Sequence, residues 1–205
     1  MRELSATRAS LIARLKGSGE DAAWREFCGV YEAAVFGYAR TKGLGDADAR
    51  DVTQEVLTSV FESLDRWKSD GRPASFRRWL FRIAHNAVVN AQKRKARGIH
   101  ASGETWEWDR LQAVPAPAAE PNETDRTAFD LEFRHEAFRW AAARVAVAVT
   151  ASTWQAFHAT AVEGRPPEEV AIECGLSIGG VYTAKCRVLA RLRKEVEAFL
   201  REHGE

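Results

Sequence analysis

The 205-residue sequence has no hydrophobic run long enough for a membrane helix and little cysteine. No segment approaches eighteen consecutive apolar residues, and the first twenty residues lack the apolar core of a signal peptide. We therefore expect a cytoplasmic protein without membrane insertion. The three cysteines, Cys28, Cys174 and Cys186, are odd in number and form no CxxC or CxxxH pair. This spacing indicates neither a disulfide framework nor a zinc site and favours buried thiols, and no cofactor is indicated.

Enzymatic motifs are also missing. The sequence contains no glycine-rich phosphate loop, no HExxH and no GxSxG, and no histidine stands in context with a nucleophile. His85, His135 and His158 fall within predicted helices, where a core or surface role is the ordinary interpretation. The sequence therefore does not indicate an enzyme.

What the sequence does contain is helical periodicity and segregated charge. Apolar residues recur at spacings of three and four in most of the chain, which predicts an all-α protein. The predicted helices cover 2–16, 20–42, 46–67, 75–97, 129–149 and 152–162, followed by a helical pair within 166–196. The net charge of only +1 conceals acidic and basic segments that are separated along the chain.

The strongest basic segment is the helix predicted over 75–97. Between Arg66 and Arg97 there are ten lysines or arginines and one acid, Asp70. Polar groups at helical spacing predict a cationic face, which suits a polyanion such as DNA. Its members are Arg78, Arg82, His85, Asn86, Asn90, Lys93 and Arg97. Taken alone, this face would more often be a solvated surface.

The preceding helix, 46–67, carries an acidic stripe beside its apolar one. Asp48, Asp51, Glu55 and Glu62 form the stripe, which suits a basic protein partner. Because three of these acids lie in the first turns, favourable interaction with the helix dipole explains part of the pattern equally well.

Composition changes between His100 and Thr127, where Pro115, Pro117 and Pro121 accompany six acids and two arginines. This predicts an extended tether between two helical domains, with Trp106 and Trp108 as candidate docking points. The predicted domains are therefore 1–98 and 128–205, with 99–127 as the linker.

The C-terminal segment has the spacing of a helix-turn-helix. Ala171 lies in the first helix, Gly175 at the turn and Val181 in the second helix. An ordinary αα-hairpin is the alternative, but the segment from Leu176 to Lys194 holds five cations and no acid, as a groove-binding helix requires.

With both basic elements in place, the chain resembles the extracytoplasmic-function sigma factors of the bacterial sigma-70 family. Asp48 to Glu55 (DARDVTQE) resembles the family's acidic helix, except that Arg50 replaces an acid. Phe76 to Asn86 (FRRWLFRIAHN) resembles its aromatic and basic signature. Ser177 to Val181 (SIGGV) and Arg187 to Arg193 (RVLARLR) resemble the turn and the recognition helix.

The resemblance implies a non-catalytic promoter-specificity subunit with two small helical domains, which correspond to sigma regions 2 and 4. It implies binding of core RNA polymerase at the clamp helices of its largest subunit and at its flap, with Asp48, Asp51, Gln54 and Glu55 docking on the clamp helices. It implies contacts to the minus-ten element from Arg72, Arg77, Arg78, Trp79, Arg82, Asn86, Asn90, Lys93, Arg94 and Arg97. It implies contacts to the minus-thirty-five element from Ser177, Gly180, Thr183, Ala184, Lys185, Arg187 and Arg191. An anti-sigma factor is a further candidate partner.

The alternative function is a conventional regulator whose helix-turn-helix binds an operator without replacing the sigma subunit. That hypothesis explains Ala171, Gly175 and Val181 equally well, but not an acidic helix followed by a cationic one.

Overall fold

The structure, a computed structural model, describes residues 10–17, 21–71, 75–96 and 121–203. Within these ranges the chain is all-α, as predicted, with eight α-helices and no strand. The helices are α1 (Ser10–Gly17), α2 (Asp21–Thr41), α3 (Asp46–Ser63), α4 (Ser75–Ala96), α5 (Glu123–Ala148), α6 (Ala151–Ala161), α7 (Pro167–Cys174) and α8 (Ile178–His203). Among the described residues, no helix is long and apolar enough to cross a bilayer.

The chain forms two compact units, which divide between Glu136 and Ala137, inside α5. The predicted linker and its Trp106 and Trp108 lie outside the described residues, apart from 121–127. Part of that range is helical, because α5 begins at Glu123 and not at Phe129 as predicted. Asn122 begins the helix, since its side-chain Oδ1 accepts a hydrogen bond from the Asp125 backbone amide at 2.8 Å.

In the first unit, α2, α3 and α4 pack around an aromatic and aliphatic core. Tyr38, Phe27, Phe76 and Leu80 are almost fully buried, as their helical spacing predicts. The prediction for α3 was slightly too long, because the α-helix ends at Ser63 and a 3₁₀ turn (Leu64–Arg66) completes it. Gly43 follows α2 with a φ of 81°, a backbone conformation that glycine adopts without strain.

The first 14 residues of α5 belong to this same unit and complete its core. Phe129 and Phe133 are each 1% exposed. Phe129 meets Tyr38 edge-on at 5.6 Å between ring centroids, and Phe133 stacks on Tyr31 at 5.6 Å. Phe81, which the sequence pattern did not place in the core, is buried because Phe129 packs against its ring at 5.4 Å.

The second unit has the predicted helix-turn-helix. Gly175 ends α7 with a φ of 64°, and the Leu176 amide donates to the Ala171 carbonyl at 2.9 Å. Ala171 and Val181 are buried in one cluster where α7 and α8 cross. The predicted roles of these three residues are therefore confirmed.

Cysteine burial differs from the expectation of three buried thiols. Cys28 and Cys174 are half-buried and Cys186 is exposed, because it lies on the outer face of α8. All three are free. Burial, followed by the charge of Glu32, raises the pKa of the Cys28 thiol, which makes it a poor nucleophile.

Candidate nucleic-acid and protein interfaces

The outer face of α4 presents a stripe of polar groups in the first unit. Arg82, Asn90 and Lys93 are exposed, and Trp79 and Asn86 are half-buried on the same side of the helix. His85 was predicted to belong to this face but is only 7% exposed. It turns inward because α5 covers that side of α4. Arg72 and Arg97 lie outside the described residues.

Two arginines of the predicted minus-ten set, both near the start of α4, are held by carboxylates of the chain itself. Arg78 Nη2 donates to both oxygens of Asp70, at 2.8 and 2.7 Å. Arg77 lies 3.1 Å from Asp130 of α5, with its guanidinium over the Phe133 ring at 5.1 Å. These contacts hold the guanidinium groups near the start of α4 in fixed positions.

An aromatic cluster lies at the same end of α4, beside the loop that precedes the helix. The rings of Trp67 and Trp79 are 6.1 Å apart, and Phe76 lies 5.3 Å from Trp79. Phe76 is 1% exposed, so only the two half-buried tryptophans could stack on a base. Lys68, Ser69 and Asp70 of the loop are exposed.

The acidic stripe of α3 faces the C-terminal end of α4. Glu55 lies 3.3 Å from Arg94, and Asp48 lies 3.6 Å from Lys95. Asp51 and Gln54 are exposed between them. The stripe is therefore partly neutralised within the unit, while Asp51 stays exposed.

A buried polar cluster joins α2, α4 and α5. The hydroxyl of Tyr38 lies 2.9 Å from Nδ1 of His85, and Lys42 forms an ion pair with Asp125. Burial is the main influence on His85 and lowers its pKa, with Lys42 acting in the same direction and Asp125 opposing it. His85 is thus neutral near pH 7. Burial also raises the pKa of the Tyr38 hydroxyl, followed by the charge of Asp125.

For Asp125, burial alone would raise the pKa, but the hydrogen bond and charge of Lys42 outweigh it. The Asn122 contact adds to this effect, and so does the charge of His85 at the acidic pH where His85 is protonated. The pKa of Asp125 is therefore lowered, and the carboxylate is ionised near pH 7. The sequence analysis missed this cluster because its members are far apart in the chain. The Asn122 cap, followed by phenylalanines four residues apart, was the local signal that could have placed the helix.

In the second unit, the N-terminal part of α8 has one exposed polar face. Thr183 and Arg187 are exposed on it, and Ser177 caps the helix by accepting from the Gly180 amide at 3.0 Å. Gly180 and Lys185 are half-buried. The predicted contact by Ala184 is wrong, because this residue is 5% exposed in the core beside Val170 and Val181.

Arg191, also predicted to contact DNA, has a structural role in this unit. Its Nη1 donates to the carbonyl of Ala148 at 2.6 Å, at the C-terminal end of α5. A cation there satisfies a carbonyl that the helix leaves without a partner and complements the helix dipole.

Comparisons with known proteins show which proteins the chain is similar to. Residues 30–98 match the model for sigma-70 region 2, and this range holds both the acidic stripe and the cationic face. The ECF RNA polymerase sigma factor SigE of Mycolicibacterium smegmatis is 25% identical over 191 residues, which are 91% of this chain and 66% of SigE. The RNA polymerase sigma factor CnrH of Cupriavidus metallidurans is 27% identical over 192 residues, 92% of this chain and 94% of CnrH.

The chain therefore carries a sigma-70 region 2 and is similar to RNA polymerase sigma factors over more than nine tenths of its length. A solved structure of CnrH in complex with the cytosolic domain of CnrY is 22% identical, covers 94% of this chain and 98% of that one, and has a TM-score of 0.37. The chain covers slightly less than two thirds of SigE and nearly all of CnrH.

The region 2 match begins in α2 and runs past the end of α4. It ends before α5, so the first 14 residues of α5 complete the first unit from outside the matched range.

Proposed function

We propose that this chain is an alternative sigma factor that binds core RNA polymerase and directs promoter recognition, melting and initiation. The observation that carries the proposal is the region 2 match over 30–98, where an exposed acidic helix precedes an exposed cationic one. A conventional operator-binding regulator has no need of this pair. The proposed role is that of a non-catalytic specificity subunit.

We assign side chains to the polymerase and to the two promoter elements according to which of them are exposed. Asp51 and Gln54, flanked by Asp48 and Glu55, offer an acidic surface for a basic element of the polymerase. Arg82, Asn86, Asn90 and Lys93 line the face proposed for the separated strand at the minus-ten element. Thr183 and Arg187 lie where a groove-bound recognition helix reads the minus-thirty-five element.

An anti-sigma factor is proposed as a further partner. It would cover the acidic and cationic surfaces of the first unit while the sigma factor is free of polymerase. The proposal is independent of the promoter that the chain reads.

The test is transcription in vitro with purified bacterial core polymerase on a panel of upstream regions. We expect promoter-specific transcripts only when the chain is added to core enzyme. An operator-binding regulator would bind duplex DNA alone and would give no transcript without another sigma factor.

A premelted template separates recognition from melting. Replacing Arg82 or Lys93 with alanine should impair initiation on duplex DNA and recover at least partly on a template mismatched across the minus-ten element. Premelting removes an unstacking cost of a few kcal/mol, so a melting role predicts this rescue. Equal defects on both templates would restrict these residues to holding the DNA backbone.

A further inference from the structure

The N-terminal part of α5, residues 123–136, lies on the first unit as an acidic amphipathic segment. It contains five acids and two arginines, so its net charge opposes that of α4. Its apolar side is buried through Phe129 and Phe133, and its acids reach the basic groups on either side of that apolar contact. Asp125 pairs with Lys42, which directly follows α2, and Asp130 pairs with Arg77 of α4.

Arg77 is held from two directions. Its Nε lies 3.1 Å from Asp130 Oδ1, its guanidinium carbon lies 5.1 Å from the Phe133 centroid, and its side chain is 22% exposed. A carboxylate and a phosphate compete for the same donors of a guanidinium group. Arg82 and Lys93 further along α4 stay exposed, so the segment occupies only the first part of the basic helix.

Gly37 of α2 allows the segment to approach closely. A Cβ placed on Gly37 would lie 2.3 Å from Oε2 and 3.2 Å from Cγ of Glu132. Any larger residue at position 37 would have to displace the Glu132 side chain. The glycine therefore forms a notch that fits this segment.

We propose that residues 123–136 are a self-inhibitory clamp, which occupies Arg77 in the free chain and releases it when nucleic acid binds. The inference rests on the proposed function and adds a control to it. Anionic DNA must displace Asp130 from Arg77, so the free chain binds single strands more weakly than its surface charge alone would give.

The first test measures binding of a fluorescein-labelled 20-nucleotide oligothymidylate by anisotropy. Asp130→Asn should tighten binding by up to about fivefold, which corresponds to loss of one partly exposed ion pair. The slope of log affinity against log salt should steepen by about 0.7, because one more phosphate is neutralised. Glu123→Gln is the matched control, since it removes the same charge from an exposed residue at the start of the same helix. Equal behaviour of the two variants would overturn the clamp.

The second test locks the segment in place. In a chain whose Cys28, Cys174 and Cys186 are replaced by serine, Gly37→Cys and Glu132→Cys place one thiol on each side of the contact between α2 and the segment, where a disulfide would link them. We expect the oxidised chain to bind the oligothymidylate at least about threefold more weakly than the reduced chain, with unchanged helical circular dichroism. The cysteine-free parent, treated with the same oxidant, should not change.

Two results of the locking test would contradict the clamp. Oxidised and reduced chains of equal affinity would refute the clamp, and thiols that fail to pair would contradict the docked position of the segment. The transcription assay distinguishes this failure from failure of the proposed function. A wild-type chain that initiates transcription keeps its sigma role whatever the clamp experiments give.

Discussion

At the scale of single residues, two arginines one turn apart on α8 differ in what they contact. Both are exposed, but Arg191 donates to the Ala148 carbonyl at the end of α5. We expect Arg191→Ala to lower the free energy of unfolding by about 0.5–1.5 kcal/mol, because a hydrogen bond and a favourable dipole interaction are lost. Arg187→Ala should change it by less than about 0.5 kcal/mol. Urea denaturation of both variants measures this.

The same two arginines distinguish a residue that contacts promoter DNA from one that stabilises the fold. If Arg187 reads a base, its alanine variant should lose about 1–3 kcal/mol of discrimination at one minus-thirty-five position. A phosphate contact would instead weaken all sequences alike and reduce the salt slope by about one. An Arg187→Ala variant as unstable as Arg191→Ala would contradict the assigned difference.

A second residue-scale prediction concerns pH. The pKa of His85 is lowered in the folded chain, mainly by burial, so the unfolded chain binds more protons as pH falls below about 6.5. Stability should therefore decrease on acidification from pH 7 to pH 5. Asp125, whose pKa is also lowered, retains its contribution above about pH 4 and loses it as pH falls through its folded pKa, in the same direction.

Thermal melts between pH 5 and pH 7 test this dependence. His85→Gln should flatten the pH profile, because glutamine keeps a polar group near Tyr38 but does not titrate. A profile that is equally steep in His85→Gln would remove His85 as the cause.

At the scale of the element, α3 and α4 neutralise part of each other's charge. Glu55 and Asp48 pair with Arg94 and Lys95 at the C-terminal end of α4, while Asp51 stays exposed. Charge reversal at Asp51 is thus the cleanest probe of the acidic surface, because Glu55→Lys would also leave Arg94 facing a like charge.

We expect Asp51→Lys to weaken binding of core polymerase by at least about tenfold, since like charges would meet across the interface. Circular dichroism should stay helical. Asp65→Lys makes the same charge change at an exposed position in the 3₁₀ turn after α3 and should bind normally. Co-purification of Asp51→Lys with core enzyme at wild-type levels would mean that this face is only solvated.

At the scale of the whole molecule, the sequence and the structure give different boundaries for the first unit. The sequence places it at residue 98 with a second domain from 128, and the compact division lies between Glu136 and Ala137. We propose that residues 121–136 are an integral part of the first unit, because Phe129 and Phe133 are buried in it.

Fragments test this proposal. A chain of residues 1–136 should be more stable to urea than a chain of residues 1–98, because burial of each phenylalanine contributes about 1.5–3 kcal/mol before the cost of ordering the segment. Phe129→Ala with Phe133→Ala in the longer fragment should remove this advantage. Equal stability of 1–98 and 1–136 would favour the boundary predicted from the sequence.

The sequence by itself determined the all-α class, most helix positions, the helix-turn-helix and the resemblance to sigma factors. These features depend on local spacing: apolar residues three and four apart, glycine at a turn, and charges along one helix face. Ala171, Gly175 and Val181 show this, since each lies where its spacing predicts.

Only the tertiary structure decided which of the polar residues are accessible. His85 and Phe81 became buried because Phe129, more than 40 positions later, packs on α4, and Arg77 was paired with Asp130 by the same contact. Ala184 and Arg191 were likewise assigned to the core and to a helix end by neighbours distant in sequence. A periodic pattern shows that a helix has two faces, but the burial of each face depends on which other helix packs against it.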